Sequence, residues 1–223
     1  MSYSMSTKRT PVSIQKDFVT RISRAVDHCN HFKQIISSTR IGTKNIRVDI
    51  RTTGVSTLVV ELFIETQSVG IIYTTYDVGR DFFTVTNIIL QPFARKKYDL
   101  GPRLICLSLC ILSHAYPEIQ QVQLEPEDAN FTDENMEILF SLPPDQLDPY
   151  VDSSNLSLMK FYRRLSFKTK IDINIKMVAA VANVLSTCHS KYPVSPSSQS
   201  TTTTTTTTPT QTSTSVTIQK PYK

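Results

Sequence analysis

Two stretches of this 223-residue sequence carry the side chains best suited to chemistry. The first runs from Ile88 to Ile105: an apolar stretch ending at Leu90, then Gln91 and Pro92, three consecutive cations (Arg95, Lys96, Lys97), and Tyr98-Asp99-Leu100-Gly101-Pro102 before an apolar run. Glycine followed by proline marks a helix start, with Pro102 at the first helical position and the helix spanning Arg103 to Ala115. The first turn of a helix presents unpaired N–H groups and about half a positive charge, so this loop is built to bind an anion such as a phosphate. The cations add to it electrostatically. The second stretch is Asn155-Leu-Ser-Leu-Met-Lys-Phe-Tyr162-Arg-Arg-Leu-Ser-Phe167. It reads as a short helix from about Ser154 to Leu165, capped by Ser153 or Asp152. A separation of seven residues is close to two α-turns and sets the Asn155 amide and the Tyr162 phenol on one face.

The elements that must position these residues follow from periodicity. Ile14, Phe18, Ile22, Val26, Cys29 and Phe32 recur every three or four residues and predict an amphipathic helix from Ser13 to about Ser37. Four β-rich runs follow, roughly 46–51, 58–65, 69–76 and 82–90, separated by turn-forming residues as in an antiparallel meander. The helix after Pro102 is apolar nearly all round and is expected to be buried. Ile119–Leu124 and the alternating Ile171, Ile173, Ile175 and Met177 read as strands. The fold class expected is α/β (α+β): a mixed, mainly antiparallel twisted sheet with flanking helices. One domain over 13–192 is expected, with an acidic insertion at 126–151. The Met1–Val12 head and the Thr-rich 193–223 tail, which contains an unbroken Thr201–Thr208 run, are expected to be disordered.

The two stretches resemble motifs of the GNAT (Gcn5-related N-acetyltransferase) superfamily. The family's pyrophosphate loop has an apolar strand end, x-Pro, then Arg/Gln-x-x-Gly-x-Gly/Ala and an apolar helix. Here Leu90, Pro92 and Lys96-Lys97-Tyr98-Asp99-Leu100-Gly101 stand in that order, with Asp99 in place of the first glycine. Asn155 to Phe167 is similar to the family's Asn-x-x-Ala-x-x-x-Tyr-x-x-x-Gly-Phe helix, with Leu158 for Ala and Ser166 for Gly. The resemblance implies a GNAT-like acyl-CoA acyltransferase fold, with acetyl-CoA as cofactor and direct transfer of the acetyl group to a primary amine. It implies that Leu90, Gln91, Arg95, Lys96, Lys97, Tyr98, Asp99, Leu100, Gly101 and Pro102 bind the cofactor, and that Asn155 contacts its pantetheine arm. Tyr162 would then be the general acid for the leaving thiolate. The family's usual base, a Glu or His on the strand before the loop, has no counterpart in 82–94. Glu125, at the end of the next strand, is the nearest candidate. The alternative is a catalytically inactive GNAT-like module acting as a binding or structural protein. The family usually has a strand before its first helix and a C-terminal hairpin, whereas here no early strand and one terminal strand are read.

Charge divides the chain. Leu104 to Met159 holds ten carboxylates and no Lys or Arg, while the rest carries all 24 basic residues against nine acidic ones. The acidic insertion therefore points to a cationic acceptor, a protein lysine or N-terminus or a polyamine, drawn by Glu127, Asp128, Asp133 and Glu134. Basic residues without an RNP-type aromatic pattern or a recognition-helix motif argue against nucleic acid. His28, Cys29 and His31 lie within one helical turn but indicate no fourth ligand, so no metal is expected. Cys29, Cys106, Cys110 and Cys188 are too scattered for a disulfide scaffold and are expected as reduced, mostly core thiols. The longest apolar stretch, Leu104 to Leu112, is about half what a bilayer requires, and Met1 to Val12 lacks the apolar core of a secretory signal. The expectation is a soluble intracellular protein, cytoplasmic or nuclear, without a membrane partner; a homodimer is left open.

Overall fold

The computed structural model describes residues 10–77, 79–127 and 131–193, excepting the side chains of Arg95, Lys96 and Lys97. The basic head up to Arg9, Asp128 in the acidic insertion and the Thr-rich tail after Pro193 lie outside the described residues. The first helix, α1 (Pro11–Val26), starts two residues earlier than periodicity indicates, because Thr10 accepts a hydrogen bond from the Ser13 N–H at 3.3 Å. A 3₁₀ turn at Asp27–Cys29 separates it from α2 (Asn30–Ser37). The stripe read from the sequence is nonetheless the one that packs: Phe18, Ile22, Cys29 and Phe32 are all buried.

A short hairpin, β1 (Arg40–Ile41) and β2 (Lys44–Asn45), leads into the main sheet. The meander is β3 (Arg47–Thr53), β4 (Thr57–Ile64), β5 (Gln67–Tyr76) and β6 (Phe82–Leu90), paired antiparallel in sequence order. A short helix, α3 (Pro92–Lys97), occupies what the sequence reads as loop, with Pro92 at its start. Then α4 (Leu100–Ala115) crosses back to β7 (Gln121–Leu124), which pairs parallel to β6. Pro102 sits in the first turn of α4 instead of at its first position, where a missing N–H still costs no helical bond.

The acidic insertion folds into two helices, α5 (Asp133–Ser141) and α6 (Pro144–Ser153). After α7 (Ser157–Arg163), the final sheet segment is a hairpin, β8 (Lys168–Ile171) and β9 (Ile175–Ala180), in place of the single strand read from alternation. The turn escapes the pattern because Ile173 continues the alternation yet is 90% exposed at its tip. Asp172 makes the turn by accepting the Ile173 and Asn174 N–H groups at 2.6 and 3.2 Å. The Asn174 N–H, with Lys176 beside it, holds the Asp172 carboxyl below its ordinary range. A last helix, α8 (Val181–Lys191), closes the fold.

The seven strands lie in the order β3-β4-β5-β6-β7-β9-β8, parallel only between β6 and β7. This is the mixed, mainly antiparallel sheet with flanking helices that the sequence predicts. Helix α4 is the centre of the molecule, buried on nearly all sides as its composition requires, and α1, α2 and α8 pack against it. The four cysteines depart from expectation: Cys29 pairs with Cys110 and Cys106 with Cys188, fastening α4 to the 3₁₀ turn and to α8. The two closed loops span 81 and 82 residues. Crosslinks of that reach stabilise by about 4–5 kcal/mol each in the chain-entropy account. The sequence gives no pairing signal, since each cysteine meets its partner only through helix packing.

Candidate active site

The site begins where two strands part. The β6–β7 ladder runs from Phe82↔Gln121 to Val85↔Leu124 and ends, while β6 stays paired with β5 as far as Leu90. At that point β6 carries a bulge: Tyr73 pairs with Asn87 and Thr74 with Val85, so Thr86 is the extra residue. A bulge bends its strand and locally increases twist, which turns β6 away from β7. Thr86 and Asn87 are exposed, and Ile89 is 49% exposed. An extended ligand with amide groups can lie in this opening as an added strand. Glu125 is the first residue past the ladder on the β7 side and is exposed.

The strand end, α4 and α7 converge on Gly101. A side chain there would stand 3.3 Å from Leu90 Cδ1 and 3.3 Å from Phe161 Cζ, so glycine permits the close approach of all three. Leu100, Gly101 and Pro102 are buried, and Tyr98 is half-buried beside them. Asp99 precedes the helix at φ 53° and ψ 34°, a left-handed backbone that glycine adopts most easily and Asp tolerates. Its carboxylate makes no cap bond to α4. Instead the Tyr192 hydroxyl donates to it, and Lys191 Nζ stands 2.7 Å away. Burial, and after it the bond to Asp99, pushes the Tyr192 phenol well above its ordinary value. Arg103, one turn into α4, lies over the Tyr192 ring at 5.2 Å and donates to the Ile35 carbonyl at 3.3 Å and to Thr39 Oγ1.

Tyr162 on α7 is 6% exposed, its ring set edgewise to Phe161 and Phe167 at 5.0 and 5.8 Å between centroids. Among the described residues its hydroxyl has no hydrogen-bond partner, and burial pushes the phenol up to about 12. A phenol so placed is protonated at any physiological pH and has a proton to donate.

Asn155 is placed differently from expectation. It precedes α7, which begins at Ser157, so the shared helical face with Tyr162 does not form. Ser154 Oγ accepts the Leu156 N–H at 3.3 Å and delays the helix. Asn155 Oδ1 takes a 3.4 Å bond from Asn135 Nδ2 on α5, and Tyr150 of α6 donates to Asn135 Oδ1 at 2.8 Å. Two insertion carboxylates are structural as well. Asp148 and Asp152 grip Arg163 at 2.7 and 3.1 Å, and Asp148 also accepts the Thr169 N–H at 2.8 Å. Glu127, Asp133, Glu134 and Glu137 remain exposed.

No protein-family model and no curated protein sequence matches this chain. Solved structures similar to it include N-acetyltransferases. A PaiA N-acetyltransferase from Thermoplasma acidophilum in complex with coenzyme A is 14% identical at a TM-score of 0.39, over 56% of this chain and 62% of that one. An aminoglycoside 6′-N-acetyltransferase complexed with coenzyme A is 18% identical at a TM-score of 0.42, over 56% and 73%. The aminoglycoside 6′-N-acetyltransferase from Enterococcus faecium is 13% identical at 0.40, over 81% and 97%. This chain thus spans less than two thirds of the length of the first of these.

Sequence reasoning missed Thr86, Phe161, Lys191 and Tyr192. The bulge and the C-terminal contacts have no local signal, because each depends on a partner at least 13 residues away.

Proposed function

We propose that the chain is an acetyl-CoA-dependent N-acyltransferase acting on a cationic primary amine. The observation that carries this reading is the parting of β6 from β7 at the Thr86 bulge, with the α4 N-terminus at one end and the buried phenol of Tyr162 on α7, whose neighbour Phe161 packs on Gly101. The cofactor's extended, amide-containing arm fits the opened edge of β6. Its diphosphate fits the first turn of α4, where Gln91 to Pro102 form the wall and Lys191 adds a charge. The Asp99 carboxylate opposes an anion there, and its pairing with Lys191 and Tyr192 turns it towards α8.

In the reaction the amine nitrogen attacks the thioester carbonyl, a backbone N–H at the open end of β6 stabilises the oxyanion, and the C–S bond breaks. The departing thiolate takes the Tyr162 proton, which a phenol at about 12 surrenders only to a base formed beside it. The attacking nitrogen is neutral, having given a proton to water; the proton it sheds after attack passes to water or to Glu125, and Tyr162 is reprotonated from solvent. The exposed carboxylates of Glu127, Asp133 and Glu134 favour a lysine side chain or polyamine as acceptor.

One observation favours a second reading, a module that binds without turnover. Asp99 and its partners Lys191 and Tyr192 stand where the diphosphate is proposed to bind, and Glu125 is exposed and makes no hydrogen bond or ion pair among the described residues. Thiol release from acetyl-CoA by the full chain, screened against spermidine and a lysine peptide, separates the two. Turnover that falls in Tyr162→Phe with coenzyme A binding retained supports the enzyme. Binding without turnover on any amine supports the module.

A further inference from the structure

The Cys29–Cys110 pair is not an isolated crosslink. His114, one turn beyond Cys110 on α4, brings its Nδ1 to 3.9 Å from Cys29 Sγ and 3.9 Å from Cys110 Sγ. Among the described residues, these three alone form a set of Cys, His or carboxylate side chains with ligand atoms all within 4.8 Å of one another. His28, adjacent to Cys29, stacks on His114 with centroids 5.2 Å apart and planes 5° from parallel. The spacing is that of a metal centre. Tetrahedral zinc holds sulfur and nitrogen ligands about 3.6 Å apart. The Cα atoms of Cys29 and Cys110 are 5.9 Å apart, which also admits two separate thiolates about 3.8 Å apart on one ion.

We propose that Cys29, Cys110 and His114 form a Cys₂His zinc site, with water as the fourth ligand, whenever the Cys29–Cys110 bond is reduced, so that this pair alternates between a disulfide and metal-bound thiolates. Both sulfurs are buried, whereas His114 is exposed, so its imidazole closes the site from the solvent side. An open depression of about 380 Å³, lined by Asp17, Arg21, Arg24, His28 and His114, gives an ion access. In the disulfide form His114 Nδ1–H donates to the Cys110 carbonyl at 2.9 Å. On binding, that proton moves to Nε2 and Nδ1 takes the metal.

The chemistry balances with external partners of stated class. A dithiol supplies two electrons and two protons to the bond, leaving two thiols here and its own disulfide. Zinc then binds with release of the two thiol protons. In the reverse direction hydrogen peroxide takes two electrons from the bound thiolates and two protons from buffer acid, giving the disulfide, free Zn²⁺ and two molecules of water. The Cys106–Cys188 bond, which shares α4, has no such set of ligands around it among the described residues. The site lies about 14–20 Å along α4 from Gly101, apart from the proposed cofactor position.

The test is titration of the full chain with Co²⁺ after reduction by a phosphine under nitrogen. The expected result is one equivalent bound with the intense visible bands of tetrahedral thiolate coordination, bleached by Zn²⁺ and absent from the oxidised chain. His114 is exposed, so His114→Ala is expected to keep the native circular dichroism and to bind cobalt at least about 10-fold more weakly. Cys29→Ser is expected to lose the bands. Absence of tetrahedral bands at stoichiometric cobalt in the reduced chain overturns the proposal. So does undiminished affinity in His114→Ala, or bands that persist in Cys29→Ser.

Discussion

Tyr192 and Asp99, separated by 93 residues, meet through a hydrogen bond in which the phenol donates to the carboxylate, with Lys191 completing the contact at 2.7 Å. The left-handed residue before α4 is thereby tied to the end of α8, and its negative charge is answered within the protein. At this position the proposed diphosphate and the Asp99 carboxylate compete for the same cation, Lys191.

Asp99→Gly suits the backbone at φ 53° and removes the opposing charge while leaving Lys191 in place. Coenzyme A affinity is expected to rise about 10-fold, the effect of about 1.4 kcal/mol. Calorimetric titration of the variant checks this, and equal or weaker binding would separate Asp99 from the cofactor.

Ser166 lies in the turn after α7 at φ 69°, again left-handed. Glycine there relieves about 1 kcal/mol of backbone strain but gives up the 2.8 Å bond between Ser166 Oγ and Thr187 Oγ1, about half as much in a partly exposed setting. Ser166→Gly is expected to raise Tm by about 1–2 °C for a domain of this size. A fall in Tm would show that the hydroxyl pair outweighs the strain.

These two positions show what the sequence makes legible. The replacements of glycine by Asp99 and Ser166 stand out by comparison with a motif, and both backbones take the left-handed form that explains the usual glycine. The meander and the buried α4 are legible because alternation and all-round apolarity are local properties. Asn155 was misplaced because a seven-residue spacing says nothing about where the helix starts, and here Ser154 holds the Leu156 N–H outside it. The disulfides, the Thr86 bulge and the Tyr192 contact are tertiary, fixed by packing between segments distant in sequence.

Arg163 joins α6, α7 and β8. It bonds Asp148 at 2.7 Å, Asp152 at 3.1 Å and the Phe167 carbonyl at 3.3 Å. Arg163→Ala leaves the half-buried Asp148 with the Thr169 N–H alone among these partners. A loss of about 2–3 kcal/mol is expected, read as a lower urea midpoint. A midpoint unchanged from that of the parent chain would mean that the acidic helices are held by their apolar contacts.

Alkaline pH tests the burial of Tyr162. Its folded value of about 12 exceeds the ordinary 10.0 because burial disfavours the phenolate. Above pH 10 the unfolded chain loses this proton and the folded chain keeps it, so stability present in full below 10 declines between about 10 and 12. The contribution at stake is up to about 2–3 kcal/mol. Tyr162→Phe is expected to flatten that decline in denaturation curves taken across the window, and an identical decline in the variant would assign it to other groups.

The most direct test of the acyltransferase reading is calorimetric titration of the full chain, oxidised, with coenzyme A and acetyl-CoA, beside Gly101→Val. Micromolar binding by the parent chain and its loss in a variant that forces side-chain atoms between Leu90 and Phe161 is the predicted result. Absence of binding by the parent chain at millimolar cofactor would contradict the cofactor site and the acyltransferase reading with it.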